Sequence, residues 1–215
     1  MTQLANRRSV MTLYSDPSDL LSHRIRMVLS EKGINHEVID VDAENLPEEL
    51  SQLNPYNCAP TLVDRDLVLY DAHVIIEYLD ERFPHPPLLP VDPVGRAELK
   101  MYMARIRRDW DPLVEKLIGK TEKQHAKQRK ELRESLVSIA PIFSQKPYFM
   151  SDEFTLIDCV LAPTLWRLGE LFIEIPESAQ PLIDYADRLF NRESFKESLS
   201  DVEEDMISFN QQIID

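Results

Sequence analysis

Residues 59–70 read Ala59-Pro60-Thr61-Leu62-Val63-Asp64-Arg65-Asp66-Leu67-Val68-Leu69-Tyr70. Two short apolar runs rich in strand-forming residues flank the polar turn Asp64-Arg65-Asp66, a pattern that predicts an antiparallel β-hairpin. Residues 72–83 follow with apolar side chains on one helical face, and Asp71 is placed to cap that helix. The stretch therefore predicts a β-β-α unit.

Alternating strand and helix patterns also fill the residues before this unit. Residues 10–14 form a short apolar run ended by a turn, which predicts a first strand. Apolar residues at helical spacing over 21–29, stopped by Gly33, predict a helix. Residues 38–41 predict a second strand, and residues 47–53 predict a short helix. The expected order is β-α-β-α-β-β-α.

A cluster of prolines ends this first region. Five prolines within ten residues exclude a continuous helix or a central strand there, and they are Pro84, Pro86, Pro87, Pro90 and Pro93. Beyond them apolar residues recur at three- and four-residue steps, beginning with a long helix over 94–117. We predict two domains, one of mixed strands and helices over residues 1–86 and one of helices alone over residues 94–215.

Residues 201–215 are acidic and amphipathic. They carry five acidic and no basic side chains, and a set of apolar residues shares one helical face: Val202, Met206, Phe209 and Ile213. We expect this tail to pack on the helical domain and to leave an acidic face to water or to a basic partner.

Composition and charge exclude several classes of protein. With 43% apolar and 29% charged residues the chain is typical of a soluble globular protein, and no run is long enough for a membrane span. The net charge of -14 disfavours direct binding to nucleic acid or to an anionic membrane, whereas a basic protein surface is a suitable partner. Arg7 and Arg8 follow no apolar stretch, so we expect no signal peptide and a cytoplasmic protein.

Cysteine and glycine usage argues against a cofactor. Cys58 and Cys159 lie far apart without a CxxC pair or a Cys/His cluster, so no metal or dithiol site is expected. The chain has only four glycines and no glycine-rich phosphate loop. We expect neither a metal ion nor a bound cofactor.

The element order, the proline-rich linker and the helical second half resemble the glutathione transferases, in which a thioredoxin-like α/β domain precedes an all-α domain. In the loop that opens residues 59–63 the resemblance implies a cis bond before Pro60, which turns the backbone groups of Ala59 outward to pair with an extended peptide. Tyr70-Asp71-Ala72 lies where the family holds the γ-glutamyl end of glutathione. Thr155 and Asp158 resemble the family's capping box.

Three longer strings give a narrower resemblance. They are similar to the stringent starvation protein A family, bacterial proteins of transferase fold that bind RNA polymerase, and they cover residues 8–13 (RSVMTL), 78–88 (YLDERFPHPPL) and 145–154 (QKPYFMSDEF). The resemblance implies a regulator of transcription in starvation or acid stress, bound to RNA polymerase holoenzyme and to basic parts of its sigma subunit. Proteins of this architecture form twofold dimers, so we expect a homodimer.

The residues of a glutathione enzyme are incomplete. Aligning the first helix with the family places Asp19 where cysteine-type members carry their catalytic cysteine, and a carboxylate there repels a thiolate. Ala72 lacks the serine hydroxyl of the family, and Asp71 is explained by helix capping. We expect no catalysed reaction and interpret five positions as vestiges of a glutathione site: Asp19, Ala59, Pro60, Asp71 and Ala72. Tyr14 and Ser18 could replace the missing thiol activator, so a glutathione-dependent transferase or reductase stays open as the alternative.

A second predicted site is the run Pro84-His85-Pro86-Pro87. Each proline fixes its φ angle and restricts the residue before it, so this run is predicted to be stiff and extended before any partner binds. A preordered segment loses little conformational entropy on binding. From the residues alone an ordinary domain linker is the simpler interpretation. The resemblance instead implies a surface pocket, built on Pro84, His85 and Pro86, that is required for activity with RNA polymerase.

Overall fold

The computed structural model describes residues 10–42 and 45–206. Contacts among its residues divide the chain into two compact units. The first unit joins the residues up to Pro86 with Ser194–Glu204, and the second is built on Pro87–Glu193. The sequence gives no indication that residues 194–204 belong with the first unit, and the boundaries 1–86 and 94–215 remain a prediction.

Four strands form the sheet of the first unit, in the order β2-β1-β3-β4. They are β1 (Met11–Ser15), β2 (His36–Asp40), β3 (Thr61–Asp64) and β4 (Leu67–Leu69). Strand β1 is wholly buried and pairs in parallel with β2 and antiparallel with β3. Strands β3 and β4 form the predicted antiparallel hairpin, which is therefore confirmed.

Three helices complete the predicted order β-α-β-α-β-β-α, which is confirmed. They are α1 (Leu20–Glu31), α2 (Glu48–Leu53) and α3 (Ala72–Arg82). Helix α1 is buried along most of its length. Its last turn closes through the backbone bond from the N–H of Ile34 to the carbonyl of Leu29, across Gly33 at φ +58°. This is the left-handed ending for which glycine is preferred.

The second unit is helical among its described residues, as predicted. Its α-helices are α4 (Pro93–Asp109), α5 (Asp111–Leu117), α6 (Ala126–Ile139), α7 (Leu156–Trp166) and α8 (Gln180–Phe190), with short 3₁₀ turns at Ala140–Ser144 and Glu177–Ala179. The prediction of one continuous helix over 94–117 is wrong, because the chain breaks at Trp110. Pro112 has no N–H to continue the helix, and its ring crowds the carbonyl four residues earlier.

Helix α7 lies in the core of the second unit and begins at the predicted capping box. One oxygen of the Asp158 carboxylate accepts hydrogen bonds from the N–H and the hydroxyl of Thr155, at 2.7 and 2.9 Å. The other accepts from the N–H of Phe149 at 3.0 Å and the hydroxyl of Tyr185 at 2.6 Å. Thr155 is predictable from the sequence, whereas Phe149 and Tyr185 are not. Burial raises the pKa of Asp158 although all four donors favour the ionised form.

Two short helices, α9 (Glu193–Ser198) and α10 (Asp201–Glu204), follow α8. The prediction that the tail packs on the helical domain is wrong for residues 201–204, which join the first unit, whereas Asp205 and Met206 belong to the second. Val202 is exposed, and the acidic Glu203 beside it is buried. Phe209 and Ile213, two further apolar residues of that prediction, lie outside the described residues.

Candidate functional site

The sheet brings the glutathione-site positions of the sequence analysis to one end of the first unit. Tyr14 lies opposite Thr61, and Leu62 lies opposite Leu69. The loop after β1, the Ala59-Pro60 turn before β3 and the Tyr70-Asp71-Ala72 segment after β4 therefore emerge at the same end of the sheet. The positions that the sequence analysis assigned to one site thus share one end of the sheet.

Asp19 is the N-cap of α1. Its carboxylate accepts a hydrogen bond of 2.7 Å from the N–H of Ser22 and so occupies a donor at the positive end of the helix dipole. The helix end that would stabilise a bound thiolate in a transferase therefore faces a fixed negative charge. A carboxylate at this place opposes formation of a nearby thiolate.

The two candidate replacement activators stand in different surroundings. The Tyr14 side chain is only 2% exposed and belongs to a core cluster with Val41 and Leu50. Ser18 is exposed, and both its N–H and its hydroxyl donate to one carboxylate oxygen of Asp16 at 2.8 Å. In the described conformation the Tyr14 hydroxyl is thus withdrawn from the surface, and the Ser18 hydroxyl proton has an acceptor in the chain.

The loop before β3 contains the peptide bond that the resemblance implies to be cis. The bond between Ala59 and Pro60 is cis, so this expectation is confirmed. Asn54, which is fully buried, holds the loop through its side-chain amide, donating to the carbonyl of Cys58 at 3.0 Å and to the Thr61 hydroxyl at 2.9 Å. The Cys58 sulfur lies 3.6 Å from the same amide nitrogen. Sequence reasoning did not identify Asn54.

Asp71 acts as the predicted N-cap of α3. One of its carboxylate oxygens accepts from the N–H groups of His73 and Val74, at 2.9 and 3.1 Å. Ala72, the next residue, is buried and has no hydroxyl to offer a substrate carboxylate. Asp71 and Ala72 therefore retain the helix cap found at a glutathione site but lack the serine hydroxyl that would contact the substrate carboxylate.

Pro84, His85 and Pro86 form an exposed loop after α3, called the Pro-His-Pro loop below. The ammonium of Lys32 lies under it and donates to the carbonyls of Phe83 and Pro86 at 2.6 and 2.8 Å. The same nitrogen is 2.7 Å from a carboxylate oxygen of Asp80, and the Lys32 side chain has 0% exposure. The loop is thus fixed from beneath by a buried ion pair, while its proline rings and imidazole face outward.

The shape of this loop differs from the prediction. The sequence predicts an extended strip, but the chain bends at His85 and Pro86, and the peptide bond between them is cis. Pro87, also exposed, opens the second unit. Proline restricts φ in both isomers, so the expected stiffness is compatible with the bend, but the sequence could not specify the isomer.

The Pro-His-Pro loop and the glutathione-site positions are separate surfaces. Asp71 caps the start of α3, and the loop follows its last turn. Eleven helical residues rise about 16 Å, so the two ends of the helix are far apart compared with the size of a tripeptide contact. One surface can therefore be altered without touching the other.

A buried polar cluster in the first unit was missed by sequence reasoning. The ring nitrogens of His23 lie 3.1 Å from the Ser198 hydroxyl and 3.2 Å from a carboxylate oxygen of Glu203, whose other oxygen is 2.5 Å from the Arg26 guanidinium. Serine, histidine and carboxylate in this order resemble the relay of serine hydrolases. All three side chains are closed to solvent, however, and the Ser198 hydroxyl also bonds the carbonyl of Phe195. The cluster therefore anchors residues 194–204 to helix α1.

The described residues provide neither a metal-binding cluster nor a membrane-spanning helix. No group of three or more His, Cys, Asp or Glu side chains in this part of the chain is placed to hold a metal ion. Within residues 10–42 and 45–206, no helix is both long enough and apolar enough to cross a bilayer.

Comparison with known proteins identifies the families that the chain matches. Residues 20–82 match the family profile described as Glutathione S-transferase, N-terminal domain, and residues 93–193 match the profile described as Glutathione S-transferase, C-terminal domain. Among solved structures, glutathione transferase Omega 3C from Trametes versicolor superposes with a TM-score of 0.79 over 93% of this chain and 94% of that one, at 23% identity. The predicted fold, a thioredoxin-like domain followed by a helical domain, is confirmed.

Closer relatives carry a different name. A stringent starvation protein A homolog from Pasteurella multocida is 50% identical over 93% of this chain and 94% of its own length. A homolog of the same name from Haemophilus influenzae is 48% identical over 94% of this chain and 95% of its own length. With this identity sustained along almost the whole sequence, the chain belongs to the stringent starvation protein A family.

Proposed function

We propose that the protein regulates transcription by binding RNA polymerase holoenzyme through the Pro-His-Pro loop, and that it does so in the cytoplasm under starvation or acid stress. The observation that carries the proposal is the loop itself. His85 and its flanking prolines are exposed, while a fully buried ammonium holds the backbone on both sides of them. A preordered apolar surface with one imidazole suits recognition of a protein, because little conformational entropy is lost on binding.

The charge of the chain supports a protein partner over nucleic acid. A net charge of -14 repels phosphate but attracts basic protein surfaces, and basic parts of a sigma subunit fit that description. The proposal also agrees with the altered glutathione end of the sheet, where Asp19 caps α1 and Ala72 stands in place of a serine. No catalysed reaction is part of the proposal.

The proposal is tested by copurification. Tagged wild-type protein is recovered from bacterial lysate in parallel with a Pro84→Ala, His85→Ala, Pro86→Ala variant, and both eluates are probed for polymerase subunits. We expect the wild type to carry the polymerase subunits and the variant to lose them. Equal recovery by the two proteins would remove the loop from the mechanism.

A matched pair of histidine variants provides the control. His85→Asn changes the exposed imidazole of the loop, and His125→Asn makes the same change at an exposed position of the second unit. His125 has φ +57°, a conformation that asparagine tolerates, so the control should fold normally. We expect only His85→Asn to reduce polymerase recovery.

A glutathione-dependent transferase or reductase is the second candidate, supported by the cis bond before Pro60. It predicts retention on immobilised glutathione and turnover of an electrophile. Loss of both on changing Ser18 to alanine, at unchanged stability, would favour the enzyme over the adaptor. Polymerase binding that survives this substitution would show that the two surfaces act independently.

We also propose that the protein is a homodimer, as the architecture suggests. Sedimentation at micromolar concentration should give a species of twice the chain mass. A single species of one chain's mass would refute this part of the proposal.

A further inference from the structure

We propose that Lys32 and Asp80 form a positioning pair that sets the shape of the Pro-His-Pro loop and thereby controls partner affinity without touching the partner. This inference rests on the proposed function, because it assigns a residue that acts through the polymerase-binding loop. Its structural half, that the pair holds the loop, can be measured without any polymerase.

The hydrogen-bond count shows why Lys32 acts only on the loop. A lysine ammonium has three donors, and Lys32 has three oxygen partners, at 2.6 Å (Phe83), 2.8 Å (Pro86) and 2.7 Å (Asp80). With 0% side-chain exposure and every donor matched to an acceptor within the first unit, the ammonium is not available to a partner. It is therefore a positioning residue and not a contact residue.

The loop needs hydrogen-bond donors from other parts of the chain, because its own residues have few backbone N–H groups. Prolines at 84, 86 and 87 have no N–H, so His85 is the only residue of that run with a backbone donor. An ordinary turn hydrogen bond runs from the N–H of residue i+3 to the carbonyl of residue i, so the carbonyls of Phe83 and Pro84 have no such donor, because residues 86 and 87 are prolines. The two carbonyls that Lys32 holds belong to the residues immediately before and at the end of the Pro-His-Pro loop, so one ammonium fixes both sides of His85.

The position of Asp80 points to the same role. An acidic side chain in the last turns of a helix is unfavourable, because the carboxyl end of the helix dipole is negative. Asp80 nevertheless lies two residues before the end of α3 and is buried. Its carboxylate compensates the Lys32 charge, without which burying an ammonium would be costly. The two residues of the pair therefore have different roles. Asp80 compensates the charge of the ammonium, and Lys32 donates hydrogen bonds to the loop.

Because the two roles differ, a double variant can remove the loop contacts while keeping most of the stability of the protein. Lys32→Met alone leaves the Asp80 carboxylate buried without its cation and should be strongly destabilised. Lys32→Met with Asp80→Leu removes both buried charges and should recover most of that stability, but it still provides no donor to the carbonyls of Phe83 and Pro86. Asp80→Asn leaves the buried ammonium without its carboxylate partner and should also lose stability, but it keeps both donors to the loop carbonyls, so it separates loss of the ion pair from loss of the loop contacts.

Two measurements are made on each variant. The first is the imidazole resonance of His85 in protein with labelled histidine, one of five such resonances, assigned by its absence from His85→Asn. The second is the affinity for purified RNA polymerase holoenzyme. In the double variant we expect the His85 resonance to move to the position of a free, solvated histidine and the affinity to fall by about ten-fold or more, as loss of two charge-assisted hydrogen bonds implies. Asp80→Asn should keep the wild-type resonance.

The outcomes distinguish this inference from the proposed function. An unchanged His85 resonance in the double variant would show that Lys32 does not hold the loop and would overturn the inference. A changed His85 resonance with unchanged affinity for the polymerase would show that the pair holds the loop but does not set partner affinity, and this would overturn the second half of the inference. If His85→Asn then also binds normally, the proposed function fails as well, and if it binds weakly, only the positioning role fails. Should the double variant not fold, Lys32→Leu with Asp80→Asn likewise removes both buried charges and the donors to the loop, and it gives the same comparison.

Discussion

Replacing Glu203 by alanine should release residues 194–204 from the first unit. The Glu203 side chain is 0% exposed, and one carboxylate oxygen lies 2.5 Å from the Arg26 guanidinium. That oxygen also accepts from the N–H of Ser200 at 3.1 Å, and the other oxygen is 3.2 Å from a ring nitrogen of His23. Truncation therefore removes a buried anion from a guanidinium and an imidazole that stay buried.

The magnitude follows from the buried pair. Removing one partner of a buried ion pair costs about 3–5 kcal/mol, because the remaining charge is left without compensation. Glu203→Gln keeps the volume and one acceptor oxygen but loses the charge assistance, so we expect about 2 kcal/mol for it. Replacing both partners, as in Arg26→Met with Glu203→Met, should cost less than the sum of the single changes.

The assay must report on the first unit. Both tryptophans, Trp110 and Trp166, belong to the second unit, so their fluorescence does not report directly on the Glu203 cluster. Amide hydrogen exchange followed by mass spectrometry resolves α1, α9 and α10 separately from α7. We expect faster exchange in α9 and α10 of Glu203→Ala and unchanged exchange in α7. Unchanged exchange in α9 and α10, or a free-energy loss below about 1 kcal/mol, would refute the argument that Glu203 anchors this segment.

Three further predictions concern the second unit. Burial raises the pKa of Asp158, so its contribution to stability is complete below the unfolded pKa of about 3.9 and is lost as the pH rises through the folded value. The stability advantage of the wild type over Asp158→Asn, measured by urea unfolding, should therefore shrink from acid to neutral pH, and an advantage that grows would contradict this sign. Arg129, which donates to the carbonyls of Thr121, Glu122, Gln124 and Leu171, fixes the turn before α6, so Arg129→Met should speed proteolytic cleavage within residues 118–125, whereas unchanged cleavage would show that the turn is held otherwise. Trp110→Phe removes the 2.8 Å hydrogen bond to the Ser135 hydroxyl and should cost about 1 kcal/mol beyond any packing loss, which Ser135→Ala should reproduce and the double variant should not double.

Local patterns predict residues 10–82 of the first unit well, because each strand and helix in that range has its own signal. The polar turn at Asp64-Arg65-Asp66 between two apolar runs specifies the hairpin, and Asp71 specifies the start of α3. The prediction fails where one residue overrides a longer pattern. Apolar spacing continues through residues 94–117, yet Pro112 breaks the helix at Trp110 because its missing N–H outweighs the periodicity.

Contacts between residues distant in sequence were not predictable. Lys32 lies more than fifty residues before the carbonyl of Pro86 that it holds, and nothing in its neighbourhood marks it as a buried charge. The tail was predicted to leave its acidic face to water or to a basic partner, but its Glu203 is buried within the chain and paired with Arg26. In both cases the local sequence shows a charged residue, and only the folded chain supplies the opposite charge that makes its burial tolerable.

The most direct test of the account is the equilibrium affinity of purified RNA polymerase holoenzyme for this protein and for its His85→Asn and His125→Asn variants. The account predicts measurable binding of the wild type, affinity weakened by about ten-fold or more in His85→Asn, and wild-type affinity in His125→Asn. Absence of wild-type binding, or equal affinity of the two variants, would contradict the claim that the exposed Pro-His-Pro loop is the surface through which the protein acts.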